Sequence, residues 1–333
     1  MTKIKSKITP DTILKNFWKD NNRFADLFNA CFFDGKPKLN PDDLTEVDTD
    51  ISSLLQFHGY AETVKRIVDV VKKSAYGVDF VILGIENQAK IHYAMPLRHM
   101  LGDAFSYLKE YNEIAKKYKD EKPHGTPDEF LSKMKKTDRL HSVLTICIYY
   151  GETPWDGPRS LIDMLEIPDA FKPLISDYKF NLIELRKSEH LKFHNNDVDK
   201  IFNISRFIFD EKYDKITDIF KDENISSELA MVIGCITESQ KLINDAVNAQ
   251  QEGGNVNMCK ALEKLEEKGR QEGELKTKLK LIIKKIHKNK SFDQIVDELE
   301  EDSDLVQPLY DFVLKHIDLG EDEMVQKYLE NIE

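Results

Sequence analysis

Cysteine is scarce in this chain: 333 residues hold four, Cys31, Cys147, Cys235 and Cys259, widely separated. No C-x-x-C pair and no Cys/His spacing suits zinc. Disulfide-scaffold and zinc-finger classes are therefore excluded, and buried, reduced thiols are expected. Long apolar runs are missing too. Val143–Gly151 and Leu229–Thr237 fall far short of the roughly 20 residues a bilayer span needs. The lysines of Met1–Lys7 are not followed by an apolar segment, so no signal peptide is read, and a cytoplasmic protein without membrane contact is expected. Positive charge is in deficit, with 48 Lys+Arg against 60 Asp+Glu and a net charge of −12. That argues against a uniformly basic DNA-coating protein but leaves room for a local basic site. Neither G-x-x-x-x-G-K-[ST] nor G-x-G-x-x-G occurs, which removes support for nucleotide-driven motors and dinucleotide enzymes.

What is present fits a folded protein: 41% of residues are hydrophobic and 32% charged. The length suits about two domains. Asp11–Phe33 has helical spacing, with a break near Asn21-Asn22, and stops at Asp34-Gly35-Lys36-Pro37. Arg66–Val71 and Phe80–Ile85 read as strands of one hairpin around Ser74-Ala75-Tyr76-Gly77. Met95–Tyr118 reads as a long helix and Lys116–Pro127 as a solvated loop. His141–Tyr150 reads as a buried strand, Ser160–Leu165 as the opening of a short helix, and Tyr178–Glu184 as a last strand. Residues 198–247 are helical in pattern, and Gln250–Asn257 reads as a linker.

Beyond that linker the charge splits. Residues 258–290 carry 11 Lys+Arg and 5 Asp+Glu, whereas 291–333 carry 2 and 14. Lys276–Lys290 interleaves seven lysines with Leu279, Ile282, Ile283 and Ile286 at helical spacing. It suits either a helix on DNA phosphates or a partner-packing helix whose lysines meet the acidic tail that follows. The domain expectation is 1–205 as an α/β core, 206–250 as a helical extension, and 251–333 as a helical region that mediates self-association.

One constellation carries chemistry. Asp69 sits on the first strand of the hairpin, and Glu86 and Gln88 follow the second. Residues two apart on a strand share a face, so Glu86 and Gln88 project together and a hairpin can bring Asp69 beside them. Converging carboxylates are costly unless a cation joins them. Mg²⁺, which seeks hard oxygen ligands, suits them, and the Asn87 carbonyl offers one more oxygen. Taken alone, D-x(16)-E-x-Q also suits acids on a solvated edge strand, with Asp69 paired to Arg66 or a nearby lysine.

The run Gly84-Ile85-Glu86-Asn87-Gln88-Ala89-Lys90-Ile91-His92-Tyr93-Ala94-Met95-Pro96-Leu97-Arg98-His99-Met100 resembles the signature of the PD-(D/E)XK nuclease-fold transposases, the YhgA-like or Rpn (recombination-promoting nuclease) family. Phe24–Ala30, Arg66–Val71 and Ile148–Pro158 resemble three further motifs of that family, in order, so the resemblance covers roughly residues 10–200. It implies a restriction-endonuclease-like core, a mixed central sheet flanked by helices, followed by an all-helical C-terminal region. The implied activity is Mg²⁺-dependent hydrolysis of DNA phosphodiesters, with Mn²⁺ as a substitute ion.

By position, Asp69 and Glu86 are the metal-binding acids and Gln88 replaces the lysine of E-x-K. Glutamine orients but supplies less electrostatic help. Lys72 or Lys90 is a candidate for the missing charge, and Asp26 for a helix-borne metal ligand. Arg98, Lys90 and Tyr107 are candidate DNA contacts. Where family members read Met-x-Tyr-Asp-Ala, this chain has Met100-Leu101-Gly102-Asp103-Ala104. Trp155 reads as a packing anchor, and His190 and His194 as helix-surface histidines. The competing reading is a catalytically weak or inactive nuclease-fold module that binds DNA or a protein partner. RNA remains an alternative substrate.

Overall fold

A computed structural model describes residues 9–47, 70–83, 90–121, 125–151, 153–220, 223–251 and 254–330. The chain divides into two compact units, with the boundary between Asn257 and Met258.

Two capped helices open the first unit. Thr9 caps α1 (Pro10–Trp18), and Asp20 caps α2 (Asn21–Phe33) by accepting from the Asn22 and Arg23 amides. A side-chain acceptor at this position satisfies amides that have no intrahelical partner. The break expected near Asn21 is therefore a new helix start. α2 ends in left-handed backbone at Asp34 and Gly35, where the Gly35 amide donates back to the Asn29 carbonyl. A Cβ on Gly35 would lie 2.8 Å from the Lys192 carbonyl oxygen. Gly35→Ala is expected to cost about 2 kcal/mol, read as a lower urea midpoint with an unchanged slope.

The sheet is five-stranded in the order β1 (Thr45–Glu46), β2 (Val70–Ala75), β3 (Val78–Leu83), β4 (Ser142–Tyr149), β5 (Asn181–Glu184). β1, β2 and β3 are antiparallel neighbours, whereas β3–β4 and β4–β5 are parallel. The β2–β3 turn is Tyr76-Gly77, both at positive φ, the two-residue geometry that matches strand twist. A parallel neighbour requires a crossover. Between β3 and β4 it is α3 (Met95–Glu121), which runs on through Lys116–Glu121 of the stretch expected as a solvated loop, followed by the short α4 (Pro127–Ser132).

Alternation assigns the two faces of the sheet. Phe80 packs its ring on Phe28, and Lys73 donates to the Lys19 carbonyl and Asn21 Oδ1, so Val71, Lys73, Phe80 and Ile82 face α1 and α2. Thr145, Cys147 and Tyr149 face α3, where Met95, Trp155 and Phe180 complete a buried cluster. Trp155 is thus the packing anchor expected of it, its ring edge-on to those of Tyr149 and Phe180. The result is a mixed sheet between helical layers.

Residues 206–250, read above as an extension, pack within this unit. α5 (Asn196–Phe209) and α6 (Tyr213–Phe220) lead to α7 (Ser227–Ile236), which lies against α1 and α5, and then to α8 (Gln240–Gln251). The end of the expected linker forms a strand: β7 (Asn255–Asn257) pairs antiparallel with β6 (Asn224–Ser226). Ser160–Leu165 contributes only a 3₁₀ turn at Ile162–Met164.

The second unit is helical: α9 (Met258–His287), α10 (Phe292–Leu299), α11 (Ser303–Lys315) and α12 (Glu321–Glu330). Ser291 and Gln294 form a reciprocal capping box at the start of α10. Leu279, Ile282 and Ile283 are buried against Ile295, Val306, Leu309, Val313 and Met324. The apolar stripe, read as facing DNA or a partner, packs against helices of its own unit. Its lysines meet the acidic segment: Lys278 pairs with Glu301 at 2.6 Å, and Lys285 and Lys290 both hold Glu298, drawing that carboxyl down to about 2. This favours the packed-helix reading over a DNA-facing one, because three of the charges already have acidic partners.

Candidate functional site

Asp69, Glu86, Asn87 and Gln88 lie outside the described residues. The strands that lead to them are described. β2 begins at Val70, one residue after Asp69, and β3 ends at Leu83, three residues before Glu86. Val70 and Leu83 are directly paired in the hairpin, at the end away from the Tyr76-Gly77 turn.

Further along the hairpin, toward its turn, Lys72 Nζ binds Asp79 Oδ2 at 2.8 Å, both side chains largely buried on the α3 side. Lys72, proposed from sequence as a replacement cation, therefore already has a carboxylate partner. Separating such a buried pair would leave an uncompensated charge. Lys73 is 1% exposed and points to the opposite face; burial lowers its pKa.

Asp26 is 8% exposed, and its carboxylate accepts from the His194 amide at 2.9 and 3.2 Å. Two residues along a helix lie roughly on opposite sides, so Asp26 faces away from the sheet side that Phe24 and Phe28 occupy. Among the described residues it holds the segment before α5 through these bonds. His190 and His194 belong to that segment, between a 3₁₀ turn at Leu185–Lys187 and α5, and not to a helix surface as expected. Among the described residues, no group of three or more His, Cys, Asp and Glu side chains is placed to hold a metal ion.

The DNA-contact candidates separate. Lys90 is exposed, between β3 and α3. Arg98 is half-buried in the first turn of α3 and close enough that its charge, after burial, helps lower the pKa of His92. It also opposes the burial that pushes the Cys147 thiol up to about 12. Tyr107 is turned inward, its hydroxyl oxygen accepting from the Val143 amide at 3.2 Å, so its polar end is spent on β4.

The helix face shared by His99, Asp103 and Tyr107 carries a polar network that the sequence reading did not assemble. Thr145 donates to Asp103 Oδ1 at 2.5 Å, Tyr178 donates to Asp103 Oδ2, and His99 Nδ1 lies 3.0 Å from the Tyr178 hydroxyl. The i, i+4 spacing of 99, 103 and 107 was legible, but Thr145 and Tyr178 come from distant elements. Burial, followed by the bond to Asp103 and that carboxylate's charge, pushes the Tyr178 phenol up.

Burial lowers the His99 pKa more than the Asp103 charge raises it. A histidine that resists protonation when folded takes up fewer protons than the unfolded chain below about pH 6.5. Its contribution is therefore complete above that pH and is lost as pH falls toward the lowered folded value. Thermal melts at pH 7.5 and 5.5 should show a loss of Tm on acidification that shrinks in His99→Phe. An unchanged difference would rule His99 out as its source.

Compared with protein-family models, with curated proteins and with solved structures, the chain matches none.

Proposed function

We propose that the first unit is a Mg²⁺-dependent DNA endonuclease on a PD-(D/E)XK, restriction-endonuclease-like core, similar to the Rpn family. The observation that carries this reading is the β2–β3 register. The Val70–Leu83 pairing brings the chain leading from Asp69 and the chain leading to Glu86 to the same end of adjacent strands. At that end Val71 pairs with Ile82 on the same face of the sheet.

The donor set suits the ion: two carboxylates and a backbone carbonyl are the hard oxygens Mg²⁺ accepts while keeping water. Bound there, Mg²⁺ would polarise the scissile phosphate and lower the pKa of an attacking water. Asp69 and Glu86 would hold the ion, and Gln88 would orient water or a phosphate oxygen by hydrogen bonding, without the charge a lysine contributes. Arg98 is a candidate phosphate ligand, because a guanidinium matches phosphate geometry.

The test is cleavage of supercoiled plasmid by the wild type and Asp69→Ala with Mg²⁺, Mn²⁺, Ca²⁺ or EDTA. Metal-dependent nicking lost in the variant supports the enzyme. Cleavage in no ion by folded protein selects the inactive nuclease-fold module, which the neutral Gln88 and the committed Lys72–Asp79 pair favour.

A further inference from the structure

A cleft of about 450 Å³ opens beyond the carboxyl ends of the parallel strands β3 and β4. Open α/β sheets take ligands at this end, where loops leave the strands and side chains converge. Lys90 and Tyr93 enter it from the segment between β3 and α3, Thr153 from the chain leaving β4, and Phe209 from the last residue of α5. Thr237 and Glu238 enter from the end of α7.

These groups divide by chemistry. The Tyr93 ring is 60% exposed and offers a flat apolar face. Lys90 is the one cation among the lining residues. At the α7 end the local polarity is reversed. Thr237 is the C-cap of α7, where the helix dipole is negative, and its hydroxyl donates to the Ile233 carbonyl, leaving its oxygen as an acceptor. Glu238 adds a carboxylate beside it. Phosphate is repelled at that end and hydrogen-bond donors are favoured. A suitable ligand therefore has an anionic part for Lys90, a flat ring for Tyr93, and an amino group for Glu238.

We propose that this cleft receives one nucleotide of the DNA strand being cut. Its base stacks on Tyr93, its exocyclic amino group donates to Glu238, and its phosphate meets Lys90. The identification of the substrate rests on the nuclease reading, since Lys90 follows Gln88 by two residues. The cleft thus selects cytosine, whose amino group a glutamate accepts, over thymine, which presents a carbonyl in its place.

The experiment is fluorescence anisotropy of labelled oligo(dC) and oligo(dT) with the full-length protein in EDTA, so that no strand is cut. The wild type should bind oligo(dC) about tenfold more tightly than oligo(dT). Glu238→Gln should reduce that ratio severalfold. Tyr93→Ala should weaken binding of both about tenfold, the scale of one stacked base. Lys90→Ala should weaken both equally and lower the salt dependence by about one phosphate contact. All three side chains are at the cleft surface, and circular dichroism verifies folding.

Equal binding of the two oligonucleotides by the wild type, or an unchanged affinity in Tyr93→Ala, overturns the cleft assignment. Plasmid nicking by the same proteins separates the two claims. Oligo(dC) selectivity without metal-dependent nicking leaves the cleft standing and removes the nuclease, whereas nicking without selectivity does the reverse.

Discussion

Asp69→Ala and Glu86→Ala are each expected to abolish metal-dependent plasmid nicking, a loss of more than about 10²-fold, while leaving the fold intact. Both residues are proposed to act through the ion they hold, so removing either carboxylate removes charge at the reacting phosphate. The effect on stability should be small or favourable, because like charges brought together oppose folding in the absence of a cation. The fully conservative exchanges Asp69→Asn and Glu86→Gln should be as inactive as the alanines, since a neutral amide keeps the shape and loses the charge. Gln88→Lys provides the complementary gain: an added positive charge beside the acids should raise the rate. Retained nicking in both alanine variants would remove the assignment, and nicking that survives EDTA would remove the metal.

Ile283→Asp is expected to cost about 4 kcal/mol and to unfold the helical C-terminal unit. Ile283 is fully buried in a core shared by α9, α10, α11 and α12, so a carboxylate there would be desolvated among aliphatic neighbours. Each compact unit has its own hydrophobic cluster, so the loss should be local. Hydrogen exchange on the full chain should show protection disappearing over residues 279–325 while the amides of β3 and β4 stay protected. Loss of protection in both units would show that they fold as one cooperative body.

Much of the architecture was legible because local chemistry set it. The interruption near Asn21, the Tyr76-Gly77 turn and the apolar spacing of 279–286 each depend on residues within one or two turns. The site was harder. Its acids were found from spacing and from resemblance and lie outside the described residues; only the paired ends of β2 and β3 are described. The departures share one cause. Asp26, Lys72 and Tyr107 were free on a one-dimensional reading, but each met a partner far away in sequence or across a strand pair: the His194 amide, Asp79 and the Val143 amide.

Periodicity and turn residues were thus enough for an α/β first part, the hairpin, the long helix after it and the charged helical end of the chain, whereas the mixed central sheet was expected from resemblance. Packing decided the rest. It alone brought His99, Asp103, Thr145 and Tyr178 into one network, covered the stripe of α9 within its own unit, placed α7 against α1 and α5, and opened the cleft of Lys90, Tyr93 and Glu238. The physical reason is range. Backbone propensity acts over a few residues, whereas burial and the satisfaction of polar groups depend on which distant segments meet.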